Sequence, residues 1–107
     1  MKLDVSALLT ELAIDQATSR NLERFLDLFE KWNRSINLSA ASTRDELLEH
    51  LADSLHVVPH VRSAARVLDV GSGGGFPVVV AAIALPSVGF TALEPVHKKH
   101  AFLRTAA

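Results

Sequence analysis

In the stretch VLDVGSGGGFPVVV, residues 67–80, the carboxylate of Asp69 stands two residues ahead of Gly71, and Gly71, Gly73 and Gly75 follow at alternate positions. Four of the chain's five glycines fall here, a concentration that marks backbone approached closely rather than scattered turns. Glycine enters conformations that a Cβ forbids and lets a ligand rest on bare main chain. Further on, the apolar run FTALE ends in Glu94, placed as a carboxylate that accepts hydrogen bonds from ribose hydroxyls. The chemistry on offer is the binding of a nucleotide-like ligand across the loop.

Two such ligands compete, a dinucleotide with its diphosphate and an adenosyl sulfonium with none. In the dinucleotide fingerprint a third glycine falls three positions after the second, where this chain has Phe76, a side chain expected to crowd a diphosphate. Asp69 repels phosphates but orders the loop and faces a cationic amino-acid group. Both details favour S-adenosylmethionine, with a nicotinamide dinucleotide as the alternative.

These groups need elements to hold them. RVLDV, 66–70, is a branched apolar run of the kind that forms a central parallel strand buried on both faces. Pro77 suits the first residue of a helix that continues from Val78 to Leu85; LPSVG then punctuates, FTALE forms a second strand, and another helix begins near Val96. VVVAAIA has strand propensity, but a strand there would leave the first one without its crossover, so a helix is expected.

Upstream the period is helical. Leu8, Leu9 and Leu12 follow Ser6, a candidate N-cap, and Leu22, Phe25, Leu26, Phe29, Trp32 and Ile36 recur every three or four residues from Asp15 onward. Trp32 shares that register, so core packing is expected of it rather than base stacking. NRSINLSAAS breaks the pattern, and Thr43 with Glu46 forms a capping box before the stripe Leu47, Leu48, Leu51, Leu55. Pro59 is expected to end that helix and HVRSAA to serve as connector. The expected division is a helical segment over 1–62 and a β-loop-α-β-α unit over 63–107.

Composition removes other classes of function. Hydrophobic residues make up 49% and charged residues 21%, enough apolar surface to build a core. The formal net charge of −1 supplies no global field for nucleic acid, so RNA contacts would have to be local. Candidates are Lys98, Lys99, His100 and Arg104, with Arg62 and Arg66 at the junction, although solvated surface charge is their ordinary role.

No cysteine is present, which excludes disulfides and thiolate metal sites and fits a reducing compartment, the cytoplasm. MKLDVSALLTELAID carries Asp4 and Glu11 among its apolar positions, unlike a signal peptide, and Val78–Leu85 is too short to cross a bilayer. His56 with His60 and His97 with His100 lack a third ligand, so no metal site is expected. His50, Asp53 and Ser54 lack a nucleophile elbow, and hydrogen bonding between helix and sheet is their expected use.

Taken together, FLDLFEKWNRSINLSAAS, ELLEHLADSLHVVPHV, RVLDVGSGGGFP and LEPVHKKHAFLR resemble, in order from Phe25 to Arg104, the bacterial glucose-inhibited division protein B family of small-subunit ribosomal RNA guanine-N7 methyltransferases. Trp32-Asn33 with Asn37-Leu38, the string His50, Asp53, Ser54, Leu55, and Phe76-Pro77 look like that family's own signatures. Val78 departs from it, since a small glycine usually follows Phe-Pro there.

The resemblance implies an α/β fold in which the N-terminal helical segment precedes the first half of a Rossmann-like S-adenosylmethionine-dependent methyltransferase fold, its parallel sheet incomplete. It implies that Gly71 and Phe76 touch the cofactor and that Glu94, Pro95 and Val96 line its ribose and adenine; Asp69, Gly73 and Gly75 join them from the loop chemistry.

The implied substrate is small-subunit ribosomal RNA, free or in an assembled subunit. Guanine N7 carries its own lone pair, so no catalytic base is nominated. A-form RNA hides N7 in a deep groove, which makes an unpaired or distorted nucleotide the expected target. The chain alone is expected to bind cofactor weakly without turnover, and its open sheet edge offers a second copy a place to pair. The competing functional readings are a nicotinamide-dinucleotide fragment and a non-enzymatic helical interaction module using the Leu22 to Ile36 face.

Overall fold

The computed structural model describes residues 5–41, 43–71 and 73–107; Asp4, Ser42 and Ser72 lie outside the described residues. The elements are α1 (Val5–Glu11), α2 (Gln16–Ile36), α3 (Arg44–Leu55), α4 (Val58–Val61), β1 (Arg66–Val70), α5 (Val78–Ala84), β2 (Gly89–Leu93) and α6 (His97–Ala106). β1 and β2 pair parallel, Arg66 against Gly89 through Val70 against Leu93, with α5 as the crossover. This is the α/β order of a partial Rossmann-like unit preceded by helices.

Helix α2 sets the frame. Asp15 caps it, accepting from Thr18 N–H at 2.7 Å, and Asn37 ends it in the left-handed region at φ 54°. Its stripe of Leu22, Phe25, Leu26 and Phe29 is buried against Leu47, Leu51 and Leu55 of α3, Val80 of α5, and Phe102 and Leu103 of α6. Trp32 lies on the rim of this core, edge-on to Phe102 at 5.6 Å between ring centres. The Thr43 hydroxyl accepts from Glu46 N–H at 3.2 Å, so the cap of α3 forms where its sequence pattern puts it. Leu48, expected in the buried stripe, is only half-buried.

Several expectations need correction. Ser6 lies inside α1 instead of capping it. Pro59 does not end α3, which stops at Leu55; it sits in the first turn of α4, where its missing N–H is not needed, so the start of HVRSAA is helical. Pro77, joined to Phe76 by a cis peptide bond, occupies the N-cap of α5 rather than its first helical residue.

β1 is not buried on both faces. Val67 and Asp69 are half-buried under the helices, whereas Leu68 is 60% and Val70 74% exposed. The helices pack on one side of the two-stranded sheet, and among the described residues nothing covers the other.

Candidate functional site

Because β1 and β2 are parallel and in register, their carboxyl ends open on the same side, where open α/β sheets hold ligands. The ladder runs one step into the glycine loop, Gly71 N–H donating to Leu93 O at 2.7 Å. Glu94 follows β2 directly and closes the arrangement. Its Oε1 accepts from Gly73 N–H at 2.6 Å and its Oε2 from Val96 N–H at 2.8 Å, so one carboxylate ties the loop crest to the start of α6.

The Val96 and Gly73 amides hold the Glu94 carboxyl below its ordinary value, with smaller help from the charges of Lys99 and His100. A carboxylate offers about four lone-pair sites. With two used, Glu94 keeps acceptor capacity for hydroxyl groups.

The glycines divide by what surrounds them. Gly71 (φ 75°) and Gly73 (φ 54°) adopt left-handed backbone, and a Cβ on either would meet no heavy atom within 4 Å. The space beside them is open. A Cβ on Gly74 would instead lie 2.5 Å from Phe29 Cε2, and one on buried Gly75 2.7 Å from Val79 Cγ2. The loop therefore has an open side and a side pressed onto the helical core.

Gly71, Gly73, Glu94, Pro95 and Val96 thus converge at the strand ends, with Pro95 and Val96 exposed in the link to α6. Asp69 lies on the helix-covered face of β1, opposite Ala92 in register. Phe76 turns its ring toward Phe29 at 5.2 Å and Phe25 at 5.4 Å between centres, and Gly75 faces Val79 and Leu103. Because the Phe76 ring packs into the helices, it does not crowd a diphosphate on the loop; the charge of Asp69 still opposes one.

Three features escaped sequence reasoning. Gly74, between the alternate glycines, is picked out by no spacing rule, yet a Cβ on it would lie against Phe29 of α2. Asn33 bridges the α2–α3 loop, Nδ2 donating to Ala41 O at 2.9 Å and Oδ1 accepting from Ser39 N–H at 2.9 Å. This holds the segment containing Leu38, which lies under Gly74; the Trp32-Asn33 signature was the available signal.

Third, among the described residues, His50 and Asp53 make no hydrogen bond to the sheet. They are exposed and, with Ser54, Val57, Phe76 and Pro77, line a cavity of about 230 Å³ at the far end of the glycine loop.

Of the basic candidates, Lys98, Lys99, His100 and Arg104 lie on α6, and Arg62 and Arg66 flank the connector before β1. Lys98, His100, Arg104, Arg62 and Arg66 are exposed and Lys99 is half-buried; Arg62 donates to Leu12 O at 3.1 Å, tying the connector back to α1. Among the described residues, no helix is long and apolar enough to cross a membrane.

Comparison with known proteins gives a consistent result. A protein called ribosomal RNA small subunit methyltransferase G from Neisseria gonorrhoeae is 42% identical over 95 residues, covering 88% of this chain and 46% of that protein. Proteins of the same name from Chromobacterium violaceum and Myxococcus xanthus are 46% and 45% identical, covering 78% and 80% of this chain and 40% of each relative. The chain thus spans less than half the length of these curated relatives. No solved structure shows significant similarity to it. The family model for rRNA small subunit methyltransferase G, the glucose-inhibited division protein B family, matches residues 18–107. That match takes in most of α2, the glycine loop and Glu94, and the chain belongs to this methyltransferase family.

Proposed function

We propose that this chain is the cofactor-binding part of a cytoplasmic enzyme that methylates guanine N7 in small-subunit ribosomal RNA, with S-adenosylmethionine lying across Gly71 and Gly73 and its ribose hydroxyls on Glu94. One observation carries the reading: Glu94, at the carboxyl end of β2, braces a loop whose two outer glycines leave open space beside them.

The residues present fit the group. The space a Cβ would fill at Gly71 and Gly73 is clear, the braced carboxylate retains lone pairs for hydroxyls, and the Asp69 charge suits a cationic ligand and opposes a diphosphate. The family membership points to the same chemistry.

When bound, the cofactor supplies a methyl group activated by sulfonium, which guanine N7 takes up on its lone pair without releasing a proton. The protein's task is therefore alignment and charge placement rather than proton removal. Glu94 fixes the loop, Gly71 and Gly73 admit the ligand to main chain, and the Phe76 contact with Phe25 and Phe29 ties the loop end to the helical segment.

Calorimetry of the chain with S-adenosylmethionine and, separately, NAD tests the reading. Binding of the first but not the second is expected, with Glu94→Ala weakening it at least about tenfold through loss of charged hydrogen bonds. Binding of NAD alone, or of neither, overturns it. Transfer of labelled methyl to small-subunit ribosomal RNA, recovered as N7-methylguanosine, tests the substrate in the longer relatives' context.

A further inference from the structure

His50, Asp53 and Ser54 recur at helical spacing on α3, and with Val57 they share a face turned toward the end of the glycine loop. Phe76 and Pro77, which close that loop, adjoin this face. Together these residues line an open depression of about 230 Å³. Drug-sized ligands occupy roughly 300–1,000 Å³, so this one is sized for a single base rather than a dinucleotide.

Its lining combines two kinds of group that recognise bases. The His50 and Phe76 rings lie 5.7 Å apart at 48° and give the cavity an aromatic flank. Asp53 is exposed, and among the described residues no hydrogen bond or ion pair engages its carboxylate. A carboxylate accepts and cannot donate. Of the RNA bases, guanine alone presents two adjacent donors, N1–H and the N2 amino group, along its Watson–Crick edge. Adenine offers an acceptor, N1, on that edge and would be repelled.

We propose that this depression receives the target guanine, with Asp53 accepting from N1–H and N2–H and the base lying against the surface that the adjoining His50 and Phe76 rings present. The proposal rests on the methyltransferase reading above and names the residue that selects its substrate. Unpaired bases are read in this way elsewhere, by aromatic contact and hydrogen bonds to the Watson–Crick edge. The N7 edge of guanine lies opposite its N1 and N2 edge. With the N1 and N2 edge on Asp53, N7 is turned away from Asp53. Methylation at N7 makes the base cationic, and a carboxylate on its far edge stabilises that charge.

Binding of guanosine 5′-monophosphate and adenosine 5′-monophosphate to the chain, followed by amide shifts on α3 and at Phe76, tests this. The wild type is expected to prefer the guanine nucleotide at least about tenfold. Asp53→Asn, a surface change that the fold tolerates, removes the preference, because its amide donates as readily as it accepts. His50→Ala weakens both nucleotides alike. Absence of a preference in the wild type, or its survival in Asp53→Asn, overturns the proposal. S-adenosylmethionine calorimetry on Asp53→Asn separates the two levels. Unchanged cofactor binding leaves the function standing whatever the nucleotides show, whereas no cofactor binding by the wild type refutes the parent reading.

Discussion

Gly74→Ala adds one carbon on the core side of the glycine loop, and the structure says how much that disturbs. Gly74 has no left-handed φ, so alanine brings no backbone strain and the steric effect stands alone. The new Cβ would lie 2.5 Å from Phe29 Cε2 and 3.1 Å from Cζ. Comfortable carbon contacts are about 3.5–4.0 Å, so the ring edge must retreat by about 1 Å. Phe29 is fully buried, with ring centres of Phe76 at 5.2 Å, Phe102 at 5.7 Å and Phe25 at 6.2 Å around it. It has nowhere to go. Overpacking of this kind destabilises by about 1–3 kcal/mol, and each kcal/mol lowers the melting temperature of a domain this size by about 4–8 °C.

Phe29→Leu removes the ring edge and costs about 1–2 kcal/mol by itself. In the double variant the clash disappears, so its loss falls short of the sum of the singles by about 1 kcal/mol or more. Urea unfolding of the four chains supplies the cycle. A Gly74→Ala stability within about 0.5 kcal/mol of the parent, or strict additivity in the double variant, refutes the packing argument.

Gly71→Ala meets no neighbour but takes φ 75°, so about 1–2 kcal/mol of stability is lost to strain and S-adenosylmethionine binding falls at least about tenfold, read by unfolding and calorimetry. Asn33→Asp keeps the acceptor for Ser39 N–H but turns a carboxylate oxygen toward Ala41 O, and a loss of about 1–3 kcal/mol in urea unfolding is expected, against near neutrality if the bridge is incidental. Glu94 is held below its ordinary value of 4.5, so its contribution is complete above 4.5 and disappears as pH falls through the lower folded value. The amide resonances of Gly73 and Val96 therefore titrate together below pH 4.5 and stop doing so in Glu94→Gln; a common titration above 4.5 contradicts the clasp.

What could be read from the sequence was local. The stripe from Leu22 to Phe29, the cap at Thr43 and the strand RVLDV each depend on spacing within a few residues, and each forms where that spacing puts it. The bare face of β1 was not legible, because Leu68 and Val70 have the same side chains whether or not another layer lies over them. Pro59 misled for a related reason: proline is excluded from a helix interior but not from a first turn, and which of these it meets depends on α3 having already stopped at Leu55. The site divided likewise. Glu94 and the loop could be found from their types and order, but not the direction each residue faces, since Gly74 meets Phe29 across 45 positions of chain.

The division of the loop explains why so many glycines stand together. Gly71 and Gly73 need glycine for their backbone conformation and leave room on the open side; Gly74 needs it because Phe29 stands where a side chain would go, and Gly75 needs it both for its φ of 92° and because Val79 stands there. The inner pair lets the loop sit flat on the helical core, with Phe76 anchored between Phe25 and Phe29, while Glu94 braces the crest from the sheet. Ligand-side and core-side glycines should therefore separate in experiment. Substitution at Gly71 lowers binding as well as stability, substitution at Gly74 changes stability first, and the helical segment over α2 and α3 acts as the seat that fixes the loop's shape.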